Sequence, residues 1–116
     1  VARRTTEVLD RFASARANDL GVQGVADTLG AIFEGRVETL LIHVDPADGR
    51  TAWFGADPGQ VAADRATLEA LDLEPEEGPL LEVALRGAHG TGARTWFVPT
   101  HGPSSPAEGI GAVLRG

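Results

Sequence analysis

The segment Val37-Glu-Thr-Leu-Leu-Ile-His-Val44 constrains this chain more than any other. Its Leu40-Leu41-Ile42 run is bounded by turn residues and shows no alternation of polar and apolar positions. A strand of that kind buries both faces, so the sheet around it must be covered on both sides. Helical periodicity precedes and follows the run, which predicts an α/β domain with its sheet between helices.

The flanking pattern fills in that frame. From Arg3 to about Ala17, the residues Val8, Phe12 and Ala15 fall on one helical stripe, and Glu7 and Arg11 are spaced for an i,i+4 ion pair. Asn18, Asp19 and Gly21 break that helix. Val22, Val25, Ala26, Leu29, Ile32 and Phe33 form the apolar face of a second helix, which Gly35 stops. After the central strand, Asp45-Pro46-Ala47-Asp48-Gly49 reads as a turn, because proline presets φ and Asp-Gly supplies a positive-φ corner. Thr51–Phe54 reads as a short strand paired locally with the first. Asp57 as cap and Pro58 in the first turn start a helix running to about Leu71.

Asp72–Gly78 reads as an acidic loop, and Pro79 to about Ala88 as a helix ended by glycines. Thr95–Val98 is strand-like, His101–Glu108 a loop, and Ile110–Leu114 a closing strand. The order is helix, helix, strand, strand, helix, helix, strand, strand. That predicts an α/β domain with a mixed sheet covered on its faces. No repeat of 20–50 residues and no low-complexity tract interrupts it.

Composition limits what such a domain can do. The 116 residues make one domain, and the absence of cysteine excludes disulfides, thiolate zinc sites and a cysteine nucleophile. The chain begins at Val1 and contains no methionine, so it is expected to be a fragment of a longer chain or a processed product. No apolar run approaches the roughly 18–20 residues of a membrane span. All 10 basic residues are arginine, against 17 acids and a net charge of −7. Residues 1–36 balance, so the whole excess of acid falls in residues 37–116. A general binder of phosphate backbones carries a basic face, and DNA or indiscriminate nucleic-acid binding is therefore not expected. A local basic patch around Arg3, Arg4 and Arg11 stays open.

Few residues offer chemistry. His43, His89 and His101 are the bases that titrate near neutral pH, with Asp45 and Asp48 as possible companions. None has ligand-like spacing, and hydrogen-bonded loop histidines are the simpler reading. Gly87-Ala-His-Gly-Thr-Gly92 has the composition of a phosphate loop but follows a helix and precedes a strand, the reverse of a dinucleotide fingerprint. It reads as a helix stop. Gly109-Ile-Gly111 reads as a close backbone approach. Ser104-Ser105 lacks a nucleophile-elbow setting, and Glu74, Glu76 and Glu77 lack calcium-loop spacing. No catalytic, cofactor or metal residue is assigned. Trp53-Phe54 differs, because one of two consecutive strand residues must face away from the core. Packing under a covering helix is the plainer use of that residue; a partner-binding patch at Trp53 and Phe54 is the functional one.

The run Arg36-Val-Glu-Thr-Leu-Leu-Ile42, preceded by an amphipathic helix, resembles the first strand of the C-terminal domain of archaeal and eukaryotic class-1 release factors and Pelota. The closing Gly109-Ile-Gly-Ala-Val-Leu-Arg115 is similar to the terminal strand of those proteins, with Gly90-Thr-Gly-Ala93 at the family's glycine turn. The opening Arg3-Arg-Thr-Thr-Glu-Val-Leu9 is similar to the lead-in helix of bacterial relatives, especially actinobacterial ones. The resemblance spans nearly the whole chain, although Asp45–Leu71 departs from the family pattern.

It implies a three-layer α/β/α domain with a four-stranded mixed sheet, related to kink-turn-binding ribosomal proteins. In that family this domain is not catalytic: a central domain with a Gly-Gly-Gln tip hydrolyses peptidyl-tRNA, and the C-terminal domain recruits a partner GTPase or ATPase. Pro58-Gly59-Gln60 lacks the first glycine and lies elsewhere in the pattern, so no catalysis carries over.

The resulting expectation is a single domain over residues 1–116, part of a cytoplasmic, bacterial release-factor-like protein. It serves as a non-enzymatic interaction domain binding a protein partner or the ribosome, in rescue or stress. One alternative is a structured-RNA module of the kink-turn-binding type. The other is a small hydrolase built on the loop histidines.

Overall fold

Val37–His43 forms the predicted central strand, β2, in a computed structural model of the chain. The structure describes residues 2–43, 48–98 and 106–115, and for residues 2–6 and 8 the backbone only. Leu40 and Leu41 are both fully buried although their side chains leave β2 on opposite faces. Leu40 and Ile42 join Leu29, Ile32, Val83 and Ala88 in the larger core. Leu41 joins Phe12, Val98 and Val113 in a smaller core on the other face. Two buried faces on one strand require two covering layers, and the α/β/α arrangement follows.

The helices are α1 (Ala2–Ala17), α2 (Val25–Phe33), α3 (Arg65–Glu69) and α4 (Leu80–Gly90). The main sheet has the order β1 (Gly21–Gln23), β7 (Ile110–Leu114), β2, β6 (Arg94–Val98). It is mixed: β2 pairs with β6 in parallel, with Leu41 opposite Trp96, and with β7 antiparallel, with Leu41 opposite Gly111. On one face α2 lies over β1 and β7 while α4 lies over β2 and β6. On the other face α1 lies over β1 and β7. A helix is about 10 Å wide and strands stand about 4.8 Å apart, so each helix spans about two strands.

Four elements differ from the sequence-based expectation. Val22 belongs to β1, not to the second helix, because Gly21–Gln23 pairs along β7 and Gly24 then turns at φ 89 into α2. Thr51–Phe54 (β3) does not pair with β2. It is the centre of a second, antiparallel sheet between β4 (Val61–Ala62) and β5 (Glu76–Pro79).

The expected helix from Asp57 is also absent. Gly55 and Gln60 close a hairpin instead, with the Gly55 N–H donating to the Gln60 carbonyl at 2.8 Å. That hairpin buries both Val61 and Ala62. The helix starts later, at a cap formed by Asp64, whose side chain accepts from the Thr67 N–H at 2.9 Å. The acidic stretch is not wholly loop either, since Glu76 and Glu77 lie on β5 and charge that sheet edge. The expected Glu7–Arg11 pair gives way to Arg11–Glu38, which ties α1 to β2.

Among the described residues all four α-helices end on the same left-handed corner. Gly35 and Gly92 hold it after α2 and α4, as the sequence predicts, with the following N–H reaching back to the Ala31 and Ala88 carbonyls. Asp19 and Asp72 hold it after α1 and α3, each at φ 60. Gly111 serves a different purpose. A Cβ there would stand 2.8 Å from the Phe12 ring and 2.9 Å from the Val22 carbonyl. This is the close approach read from the Gly-Ile-Gly motif.

Candidate functional site

The alternation of β3 sorts its residues. Ala52 and Phe54 turn toward the larger core, which buries Ala52 completely and packs against Phe54. Thr51 and Trp53 turn the other way, toward Glu77 and α3. Each aromatic carries one guanidinium. Arg86 lies 4.8 Å from the Phe54 ring centre, and Arg65 lies 5.6 Å from that of Trp53. Arg86 is fixed by donating to the Ala56 carbonyl at 3.0 Å. Arg65 pairs with Glu69 at 3.2 Å, and the Thr51 hydroxyl donates to Glu77 at 2.7 Å. Beside Phe54 opens a groove of about 420 Å³, rimmed by Asp72, Glu74 and Glu76 with Leu73 along it. The two expected contact residues thus lie on opposite faces of one small sheet, both half-buried. The arginines that cover them were not singled out in sequence, because nothing local links positions 65 and 86 to strand β3.

A second cleft lies where α1 stops covering the main sheet. It measures about 540 Å³ and is lined by Glu7 and Arg11 of α1, Thr39 of β2, and Arg94 and Trp96 of β6. The Arg94 guanidinium has no ion pair or hydrogen bond among the described residues. The Trp96 Nε1–H is buried and has no acceptor among the described residues. Leaving such a donor unmet costs about 1–3 kcal/mol, and a buried polar atom of this kind calls for an explanation.

Among the described residues, His43 and His89 serve separate ends of the fold. The His43 ring holds the end of β2 to β6, with Nδ1 donating to the Val98 carbonyl at 2.9 Å. His89 is exposed in the last turn of α4. His101, Asp45, Ser104 and Ser105 lie outside the described residues. Among the described residues no group of three or more His, Asp or Glu could hold a metal ion. Asp48 is taken by Arg50, whose guanidinium holds the carboxyl below the usual aspartate value and is itself raised in return. Hydrogen bonds from the Thr67 hydroxyl and N–H lower Asp64 in the same way. Glu74, Glu76 and Glu77 gather no cation site; Gly87–Gly92 closes a helix, with Gly87 packed against Ile32 and Val61.

This geometry is shared with a protein of known structure. The crystal structure of the archaeal translation termination factor aRF1 superposes on 97% of the chain with a TM-score of 0.54. In fold, the chain resembles a release factor. The two sequences are 22% identical, and the match covers 26% of the termination factor, so the chain spans about a quarter of that protein's length. No model of a known protein family matches the chain, and no curated protein matches it. The release-factor-like fold agrees with the family motifs at Arg36–Ile42 and Gly109–Arg115, which form β2 and β7 at the centre of the main sheet. The departure noted at Asp45–Leu71 takes in β3 and β4 of the second sheet. Among the described residues no helix is long and apolar enough to cross a membrane.

Proposed function

We propose that residues 1–116 act as one non-catalytic interaction domain of a longer, bacterial, release-factor-like protein, working in translation in the cytoplasm. The observation that carries this reading is the likeness to a translation termination factor along 97% of the chain. It is supported by two separate stretches of sequence, at Arg36–Ile42 and Gly109–Arg115, that resemble the first and the terminal strand of the family's domain. No catalytic residue enters the proposal.

The partner is a protein or the ribosome, and the docking surface is the second sheet, at Trp53 and Phe54. Aromatic and arginine side chains dominate binding energy at interfaces, and here Arg65 of α3 lies over Trp53 and Arg86 of α4 over Phe54, one pair on each face of β3. Asp72, Glu74 and Glu76 beside Phe54 set the sign of the partner: a basic surface is drawn in and an acidic one refused.

Cosedimentation of the purified chain with bacterial ribosomes and with purified translation GTPases tests the reading. The wild-type chain should bind one of them in a saturable way, and Trp53→Ala should weaken that binding about tenfold or more, the range of an interface hot spot. A chain that stays unbound with all of them, or binds equally well as Trp53→Ala, overturns the assignment.

A further inference from the structure

The cleft between α1 and the β2–β6 half of the sheet is separate from the docking surface and has its own chemistry. We infer that it is a binding site for a mononucleotide, with the phosphate held by Arg94 and Arg11 and the base lying against Trp96.

The site exists because one helix covers two strands. Opposite, α2 and α4 share the sheet between them; on this face α1 covers β1 and β7. Leu41 and Val98 are buried with Phe12 toward one end of β2 and β6, and toward the other, at Thr39 and Arg94, an opening of about 540 Å³ remains among the described residues. That volume falls within the usual range for small-molecule sites. In parallel register Thr39 stands beside Arg94 and Leu41 beside Trp96, so the hydroxyl, the guanidinium and the indole come to one end of one face.

Each lining group matches a part of a nucleotide. Arg94 has no partner among the described residues, and a guanidinium binds phosphate through paired N–H donors. Arg11, across the cleft, shares its charge with Glu38 and adds a second donor. The Thr39 hydroxyl supplies a further donor. The half-buried Trp96 ring offers a flat wall for a base, and aromatic stacking of bases is tolerant of sequence. Its buried Nε1–H has no acceptor among the described residues. Glu7 gives the cleft an acidic end. It repels a bare polyanion but accepts hydrogen bonds from a ribose hydroxyl or an exocyclic amine. The net charge of −7 opposes a long nucleic acid more strongly than a single nucleotide, which carries far less charge.

The chain's two tryptophans give two indole N–H signals in a proton–nitrogen NMR spectrum, assigned by Trp53→Phe. Titration with AMP should move the Trp96 signal in a saturable way and leave that of Trp53 in place. Arg94→Gln, an exposed change on an edge strand, should weaken the response about tenfold or more with the Trp53 signal unmoved. Adenosine or inorganic phosphate alone should act at least tenfold more weakly than AMP. A 5′-phosphorylated tetranucleotide distinguishes the sources: weaker action than AMP supports a free nucleotide, and stronger action assigns the same chemistry to an RNA end. No shift at Trp96, equal shifts at both tryptophans, or an unchanged response in Arg94→Gln overturns the inference.

Discussion

Glu108 caps helix α2 from 83 residues away: its Oε1 accepts the Val25 N–H at 2.8 Å. The usual capping position, Gly24, has no side chain to do this, and a Cβ there would stand 2.8 Å from that same oxygen. Glu108 reaches the position from a left-handed φ of 59. Its carbonyl is held by Arg50 at 2.8 Å, and the Arg50 guanidinium is held in turn by Asp48. The carboxylate also faces the positive end of the α2 dipole. One acidic residue therefore joins the entry to β7, the loop before β3 and the start of α2.

Glu108→Ala should lower the stability of the fold by about 1 kcal/mol, the usual worth of a helix cap, and Glu108→Gln by less, since the amide oxygen still accepts. Urea unfolding measures both. Equal stability of wild type and Glu108→Ala would remove the cap from the account of α2.

Two glycines should respond differently to alanine. At Gly35 a Cβ meets nothing within 4 Å, but φ is 70, so Gly35→Ala costs about 1 kcal/mol through conformation alone. At Gly111 the Cβ collides with the Phe12 ring and the Val22 carbonyl, and overpacking there costs about 2–3 kcal/mol. Trimming the obstacle separates them: Phe12→Leu should reduce the penalty at Gly111 and leave that at Gly35 unchanged. Stabilities of the double variants decide it.

Trp53 and Phe54 are adjacent in sequence but differ in what they support. Phe54 packs on the larger core and under Arg86, so Phe54→Ala should cost about 2 kcal/mol of stability, less than a fully buried phenylalanine. Trp53→Ala should unfold at nearly the wild-type denaturant concentration while losing partner binding. The reverse order of stabilities would place Trp53, not Phe54, at the core.

Helix α3 should loosen in acid. Hydrogen bonds from Thr67 lower the Asp64 pKa below its ordinary 3.8, so the folded state resists protonation of this carboxyl. The stabilisation is full above the ordinary value and is lost as pH falls through the lowered one. The Thr67 amide signal should therefore change below about pH 4. In Asp64→Asn, which caps without titrating, that change should vanish. A pH response that persists in Asp64→Asn would assign it to another group.

The sequence alone determined three strands of the main sheet, β2, β6 and β7, and the layers that cover it, but not its edge strand β1. Leu40-Leu41-Ile42 demanded two buried faces, the stripe from Val25 to Phe33 demanded a core-facing helix, and Gly35 and Gly92 marked helix ends whose left-handed corners few other residues accept. These are local requirements, met by neighbours within a few positions. The second sheet was not legible. Val61-Ala62 is too short to show a period, and Glu76–Pro79 reads as an acidic loop until β3 lies beside it.

The sites show the same division. Trp53 and Phe54 stood out as consecutive aromatics on a strand, but Arg65 and Arg86 reach them only after α3 and α4 fold over that sheet. The cleft at Arg94 and Trp96 exists because α1 covers two strands of four, a matter of width and not of any motif. Periodicity records which face of an element is buried. It does not record which distant element buries it or what is left uncovered, and those were decided by tertiary packing alone.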